Sequence, residues 1–398
     1  MGVAVSGGSD SMALLYLLRE FCQLHQIELR AVTVNHCLRV DAGQEAEQVA
    51  ARCAKIGVPH DTIVWQGWTG EGNLQKAARD ARYAKMADWA REHEISTIAV
   101  GHTADDQAET VLMRLSRRSG VDGLSGMNAR SLRNGITWVR PLLRTRRETL
   151  QGYLTARGLS WLDDPSNDDD RFERIKARRA LGVLADLGIG AEVLAEVAGH
   201  LSQARQALDW QTFLAAKNLI HMQAGAIVLC ETGMRLQPDE IQRRLLVRAL
   251  CWISGTDYSP RRGALSTVMS ALRKGQGGTL DGCHVRRIRS KIWIFRELNA
   301  LKNTISATHD VWDRRWRLHP KVPATHDKAL HVRALGLAGL EQCPDWRATG
   351  YPHVVLQSTP GIWKEERLVA APVAGFAQNW QMELEGGPDA FFAALLSH

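Results

Sequence analysis

Over the first 143 residues, short apolar runs alternate with longer segments whose apolar positions recur at helical spacing. Gly2-Val3-Ala4-Val5 is the first run, and Met12-Ala13-Leu14-Leu15-Tyr16-Leu17-Leu18 opens an apolar-striped helix behind a glycine turn. Leu29–Val34 reads as a second buried strand, and Gln44–Ile56 has the spacing of a helix. Thr62–Trp65 reads as a third strand and residues 74–93 as a long helix. Ser96–Val100 is a fourth strand, which ends at Gly101-His102 and is followed by a helix over residues 105–118. Ile136–Leu143 is a fifth. Short buried strands separated by helices predict a doubly wound α/β fold, a parallel sheet with helices on both faces. Ligands in such sheets lie at the carboxyl ends of the strands.

Beyond residue 183 the pattern changes. Residues 183–255 read as all-helical, with apolar stripes through Leu194, Ala195 and Ala198 and through Ile241, Leu245, Leu246, Ala249 and Leu250. A break at Gly255–Pro260 precedes a further helix at 261–273. The glycine-rich stretch Gly275–Cys283 reads as turns rather than as a second phosphate site, and it leads into alternating strands at Val285–Arg289 and Lys291–Arg296. From about residue 305 a small α+β or β module follows, with a strand at Trp312–Leu318 and a hairpin with an acidic turn at Gly361–Pro372. The expected division is 1–182, 183–300 (helical plus β-ribbon) and 305–398 (C-terminal module).

Composition is ordinary for a globular chain of 398 residues, and the net charge of +7 suits a polyanionic partner without requiring one. The seven cysteines are scattered with no C-x-x-C, so neither a disulfide framework nor a zinc ribbon is expected, and a reducing cytoplasm is. No apolar run approaches the roughly 20 residues that span a membrane, and the N-terminus enters a strand directly rather than a signal peptide.

Candidate chemistry begins at the turn Ser6-Gly7-Gly8-Ser9-Asp10-Ser11. A helix N-terminus offers free N–H groups and the positive end of its dipole to an anion. Glycine lets the backbone approach a phosphate closely, the serines add hydroxyls, and Asp10 could share a Mg²⁺ with phosphate oxygens. There is no G-x-x-x-x-G-K-[ST] in the chain and no G-x-G-x-x-G at this turn. A second candidate is His102-Thr103-Ala104-Asp105-Asp106-Gln107-Ala108-Glu109-Thr110, directly after the fourth strand. Asp106 and Glu109, three apart, share a helix face, and Val111, Leu112 and Leu115 can supply the core stripe. The plain alternative is that Asp105 or Asp106 only complements the helix dipole. His102 could touch a phosphate or simply cap the strand.

The S-G-G-x-D-S turn resembles the pyrophosphate-binding loop of the PP-loop ATP pyrophosphatases, adenine-nucleotide α-hydrolase-like folds that split ATP between the α- and β-phosphates. The resemblance narrows along the chain. H-x-x-D-D-Q-x-E-T at 102–110, R-x-S-G-x-x-G-L-x-G-M ending at Met127, Arg140-Pro141-Leu142-Leu143, Asp164-Pro165-Ser166-Asn167 and the arginines Arg174 and Arg178 follow in one order. With Asn35-His36-x-Leu38-Arg39 and Ala78-Arg79-x-x-Arg82-Tyr83, the set is similar to the tRNA(Ile)-lysidine synthetase family over about residues 2–180. That family ordinarily has residues before the first strand, whereas this chain starts at it.

The resemblance implies ATP-dependent joining of free L-lysine to C2 of the wobble cytidine of an isoleucine tRNA with a CAU anticodon. The C2 oxygen is adenylated first, and lysine then displaces AMP. It further implies that Ser6, Gly7, Gly8, Ser9, Asp10 and Ser11, with His36 and His102, bind ATP. Asp10 and Asp106 would hold Mg²⁺, and Asp10, Asp106, Glu109 and Arg178 would be catalytic. Arg82, Asp106, Glu109 and Asn167 would bind lysine or substrate, Arg82 or Arg178 taking a carboxylate or phosphate by its planar fork. Which carboxylate deprotonates lysine stays open. Without the resemblance, Arg79 and Arg82 read as an exposed helix face, Asp163–Asn167 as a turn and Asp168–Asp170 as a solvated cap run.

Residues 130–179 hold twelve Arg or Lys against seven Asp or Glu, a basic rim suited to tRNA phosphates. Arg286, Arg287, Arg289 and Lys291 suit a β-ribbon against an RNA backbone, in a region resembling the family's second domain. Oligomeric state is open, a homodimer among the options. A tRNA thiolase on the same fold would commonly need a C-x-x-C pair or an iron–sulfur cluster. An argininosuccinate-type ligase would not need a basic second half, and a tRNA-binding protein with a dead ATP site would not need Asp10, Asp106 and Glu109.

Overall fold

The computed structural model describes residues 1–37, 42–65, 74–162, 173–256, 258–321 and 329–396. They form two compact units, Met1–Gln206 and Ala207–Leu396.

The first unit contains β1 (Gly2–Ala4), α1 (Ser9–Leu24), β2 (Arg30–Asn35), α2 (Ala42–Lys55), β3 (His60–Val64), α3 (Leu74–Glu92), β4 (Thr97–Val100) and α4 (Ala104–Ser116). It continues with α5 (Val121–Leu124), β5 (Arg130–Arg133), β6 (Ile136–Val139), α6 (Arg147–Ala156) and α7 (Glu173–Ala185), and α8 (Ala191–Leu219) carries the unit boundary. The sheet order is β3-β2-β1-β4-β6-β5. Alternate residues of one strand serve opposite faces, and both faces are covered. Val3 and Val5 pack with Met12, Leu14, Val49 and Leu154, whereas Ala4 packs with Tyr83, Met86, Trp89 and Trp138. That two-sided burial explains why the strands read as unbroken apolar runs. The chain builds outward from β1 through β2 to β3, then returns to place β4 on the other side of β1. The reversal leaves a crevice at the carboxyl ends of β1 and β4.

The sheet is parallel except for β5, an edge strand antiparallel to β6 that the apolar pattern did not predict. Its residues Arg130-Ser131-Leu132-Arg133 are mostly polar, and Leu132 is exposed. Leu115 is also exposed, against its expected place in the core stripe of α4. Ala104, Ala108 and Val111 fill that stripe instead, because α4 is covered along its first two turns and runs outward afterwards.

In the second unit, β7 (Ile220–Gln223) and β8 (Ala226–Cys230) follow α8, then α9 (Glu231–Arg235), α10 (Asp239–Ser254), α11 (Arg262–Arg273), β9 (Gly278–Leu280), β10 (Cys283–Ile288) and β11 (Lys291–Arg296). They form a five-stranded antiparallel sheet, β7-β8-β11-β10-β9, under α10 and α11. The region 183–255 is therefore not all-helical. Ala224 (φ 49°) and Gly225 (φ 73°) make a left-handed two-residue turn, the usual hairpin geometry, without the Asn-Gly or Asp-Gly that signals it.

The remainder contains β12 (Ser306–Ala307), β13 (Trp316–Pro320), β14 (Leu330–Ala334), α12 (Gly336–Glu341), α13 (His353–Leu356), β15 (Pro360–Lys364), β16 (Arg367–Ala370), β17 (Trp380–Leu384) and α14 (Gly387–Leu396). The β15–β16 hairpin turns at Glu365-Glu366, as expected. The Trp312 strand starts later, at Trp316, because Asp313 and Arg314 take positive φ and fold Trp312 back onto Trp316. Phe391 and Leu395 of α14 join the core under α10. No helix among the described residues is long and apolar enough to cross a membrane.

Candidate active site

The crevice between β1 and β4 collects most of the candidates. After β1 the chain turns through Gly7 (φ +91°) and Gly8 into α1. A Cβ on Gly7 would lie 2.6 Å from Leu162 Cδ1, and the Leu162 amide donates to the Gly7 carbonyl at 2.9 Å. Gly7 is thus required by conformation and by contact. Above Gly8 the space is open, the nearest atom to a Cβ being the Leu162 carbonyl oxygen at 3.9 Å. Gly8 is the N-cap of α1 and gives no side-chain cap, so the first-turn N–H groups face that space. Ser11 Oγ accepts from the Ser6 amide at 3.1 Å and donates to the Gly8 carbonyl at 3.0 Å, which fixes the loop. The arrangement suits an anion. Gly101, at the end of β4, comes so near α1 that a Cβ would sit 3.1 Å from the Asp10 and Ser11 backbone. The sequence reading did not single it out.

The start of α4 is built by a capping box. The Asp106 carboxylate (Oδ2) accepts from the Thr103 amide at 2.9 Å and the Thr103 hydroxyl at 3.1 Å, and the Asp106 amide donates back to Thr103. The pattern T-x-x-D was present in the sequence and went unused. Asp105 has a separate duty: it accepts from the Arg147 amide at 2.8 Å and from Arg146 Nε, capping α6. Asp106 keeps its other oxygen for the crevice.

That oxygen faces Arg147. The guanidinium donates from Nε to Asp10 Oδ2 at 2.8 Å and places its NH2 group 3.6 Å from Asp106 Oδ1. Side-chain exposures of 26%, 16% and 11% for Arg147, Asp10 and Asp106 make this a largely desolvated triad. Arg147 was missed because nothing in its neighbourhood marks it; R-T-R-R reads as a basic loop. Burial raises the Asp10 carboxyl above its usual range, against the pull of Arg147 and with the push of Asp106. Burial opposes ionisation at Asp106 too, but the Thr103 amide and Arg147 outweigh it and hold that carboxyl below the usual range.

One turn along α4, Glu109 is 1% exposed. Its Oε1 accepts from Arg178 Nε at 2.9 Å, and Arg174 lies 4.0 Å from Oε2, which has no hydrogen-bond partner among the described residues. Burial raises its pKa, and the neighbouring Asp106 adds to that while Arg178 opposes it. Arg174 and Arg178 sit one turn apart on α7 and so meet α4 on one face. His102 is kept neutral by burial and by Arg140, Arg79 and Arg174, against the pull of Asp106, and its Nδ1 has no hydrogen-bond partner among the described residues. His36 lies further along the sheet with its ring 5.7 Å from Trp65, close enough to Arg82 for that charge to depress its pKa beyond the effect of burial. Arg82 is half-buried on α3 beside Arg79 and Tyr83, not on an exposed face, and has no ion pair among the described residues. Leu38, Arg39 and the whole stretch Asp163–Asp170, Asn167 included, lie outside the described residues.

The donor set can be tested against Mg²⁺. The ion commonly takes one or two carboxylates and completes its shell with water and phosphate oxygens. Asp10 and Asp106 supply that pair, turned toward one positive charge, so the residues fit. Among the described residues no group of three or more His, Cys, Asp or Glu could hold a metal by itself. All seven cysteines are free, and burial pushes the thiols of Cys53 and Cys283 up to about 11 and about 12, which makes them poor nucleophiles and metal ligands.

A glycine–serine turn into an uncapped helix, at the switch point of a doubly wound sheet with two acids facing it, defines a PP-loop nucleotide-binding domain. The PP-loop domain family model matches residues 1–184. The chain is 48% identical over 398 residues to the tRNA(Ile)-lysidine synthase of Ruegeria pomeroyi, covering 100% of this chain and 94% of that protein. It is 34% identical over 308 residues to that of Wolbachia pipientis, covering 76% and 72%. A distant likeness among solved structures is the U34-tRNA thiolase NcsA from Methanococcus maripaludis, with TM-score 0.43, 18% identity and coverage of 50% and 71%. The chain belongs to the tRNA(Ile)-lysidine synthase family.

Proposed function

We propose that this chain uses ATP to join free lysine to C2 of the wobble cytidine in an isoleucine tRNA with a CAU anticodon. The tRNA is adenylated on the C2 oxygen, pyrophosphate leaves, and the lysine side-chain amine then displaces AMP. The observation that carries the reading is the convergence of Asp10, from the phosphate-type turn, and Asp106, one helical turn before Glu109, on a single cation. The site thereby has a phosphate end and an amine end.

The Ser6–Ser11 loop and the first-turn amides of α1 hold the departing pyrophosphate and stabilise its charge. Asp10 and Asp106 hold Mg²⁺, which when bound neutralises the polyphosphate. Glu109 takes the lysine ammonium through its unpartnered Oε2 and receives or relays its proton, a task suited to a carboxyl whose pKa burial has raised. Arg178 pins Glu109 from the other side and turns its remaining N–H groups to the lysine carboxylate. Arg82, half-buried beside Arg79 with no ion pair among the described residues, suits an anionic group of the substrate. Residues 1–182 carry this chemistry, and 183–300 hold the tRNA. A homodimer is compatible with the site.

One assay tests the reading: purified protein, ATP, Mg²⁺, radiolabelled lysine and a CAU-anticodon isoleucine tRNA give labelled tRNA. AMP formation with no lysine label would overturn lysine as the nucleophile.

A further inference from the structure

The second unit contains a cavity of about 370 Å³ that the proposed reaction does not use. One wall is the backbone of Gly275, Gly277 and Gly278, and the rest is Thr279, His284, Arg286 and Arg287. No carboxylate and no aliphatic side chain lines it. Its glycines have mixed duties. A Cβ on Gly277 would lie 2.4 Å from the Val285 carbonyl and one on Gly278 3.2 Å from Val268, so both allow close packing of β9. A Cβ on Gly275 would meet Arg287 Nη1 at 3.4 Å, on the cavity side.

The polar groups are laid out by strand register. His284 and Arg286 alternate with the core residues Cys283 and Val285, so they share the outer face of β10, and Thr279 on the edge strand β9 pairs with His284. The Thr279 hydroxyl and His284 Nδ1 are 3.2 Å apart. With the hydroxyl donating to Nδ1, the ring presents an Nε2–H donor. Glu231 already holds Arg287 at 2.6 Å, from outside the cavity lining. Arg286 is exposed and has no hydrogen bond or ion pair among the described residues. Arg289 and Lys291, exposed at the tip of the same hairpin, continue the positive strip. A carboxylate-free hollow with one uncommitted guanidinium, a ring N–H and bare glycine backbone has the donors for a phosphate.

We infer that the β9–β10 cavity seats a phosphate diester of an RNA backbone, with Arg286 as its principal cation. This rests on the proposed tRNA substrate and deepens it by naming a contact remote in sequence from the chemistry. A backbone contact carries no sequence information, so it should act alike on every tRNA.

The test is Arg286→Ala and Arg286→Lys in the full chain, with tRNA affinity measured at several salt concentrations. Arg286→Ala should weaken an isoleucine tRNA and an unrelated tRNA equally, by about 5- to 10-fold near 0.1 M salt, and lower the salt slope by roughly one. Arg286→Lys should recover most of the affinity, and ATP affinity should not move. Unchanged tRNA affinity and slope in Arg286→Ala overturns the inference. If inorganic phosphate protects the wild-type chain but not Arg286→Ala against heat while tRNA binding stays unchanged, the cavity belongs to a free phosphate and the RNA assignment falls. Failure of the wild-type chain to label tRNA with lysine would sink the proposed reaction alone, because the Arg286 measurements read binding.

Discussion

Replacing Arg147 by Met tests the electrostatic design of the crevice. The substitution keeps an unbranched stem and removes a cation that Asp10 and Asp106 share. Two carboxylates, 16% and 11% exposed, would then face each other without the guanidinium that now sits between them. Breaking a buried pair costs about 3–5 kcal/mol; with Arg147 itself about a quarter exposed, about 3 kcal/mol is the reasonable expectation. For a unit of this size that is a fall in Tm of roughly 6–12 °C. The measurement is thermal unfolding of the full chain in EDTA near pH 7.5. The pH dependence separates charge repulsion from lost packing. In the variant each acid loses a group that favours its ionised form, so its folded-state pKa rises from the wild-type one: Asp10 goes further above the usual range, and Asp106 comes up from below it. Relative to wild type, stability is then present at low pH and lost as pH rises through the folded values. The gap between variant and wild type should therefore shrink toward pH 5 and widen toward pH 8. Mg²⁺ without nucleotide should raise the Tm of the variant more than that of the wild type, because a cation again enters between the two acids. Wild-type stability at pH 7.5, or a loss independent of pH and Mg²⁺, would refute the reasoning.

Gly7→Ala and Gly8→Ala should part company. Gly7→Ala meets a left-handed φ and a 2.6 Å contact and should lose about 1–3 kcal/mol in a thermal melt, whereas Gly8→Ala, with open space above it, should melt like wild type yet bind ATP more weakly in a titration. Glu109→Gln removes the charge that the proposed reaction offers to the lysine ammonium. The lysine KM should rise by about 10- to 100-fold while adenylated tRNA still forms without lysine; an unchanged KM would remove Glu109 from that role.

The parts of the fold that were legible in sequence are those where burial dictates residue type. Val3, Val5, Val32 and Ile98 need apolar side chains because both faces of the sheet are covered, so the strands of the first unit could be read directly. The β7–β8 hairpin was hidden because Ala224 takes a left-handed conformation that its identity does not advertise. Strand β5 was hidden because an edge strand with exposed faces needs no apolar alternation. At the site, the motif residues Ser6–Ser11, Asp106 and Glu109 could be named because their chemistry is local to one turn or one helix face. Arg147 could not, because its partners stand 137 and 41 positions away and only the crossing of α1, α4 and α6 joins them. Distance in sequence, not weakness of interaction, kept it out of view.

Asp106 shows why the structural and chemical readings of an acidic helix start need not compete. Its Oδ2 is consumed by Thr103, which fixes where α4 begins and turns Oδ1 toward the crevice. Because the cap sets the rotation of the helix, it also sets the direction of Glu109, three residues on and on the same face. Arg178 then holds Glu109 from α7, so the two acids are positioned by different neighbours. An amine arriving between them meets one carboxyl held ionised by its cap and Arg147, and one whose proton affinity burial has raised. In the proposed reaction that asymmetry suits Asp106 to the fixed negative charge and Glu109 to the proton transfer. Asp106→Asn should thus abolish lysine attachment while tRNA binding survives, and loss of tRNA binding would mean that the cap, rather than the charge, was the residue's main contribution.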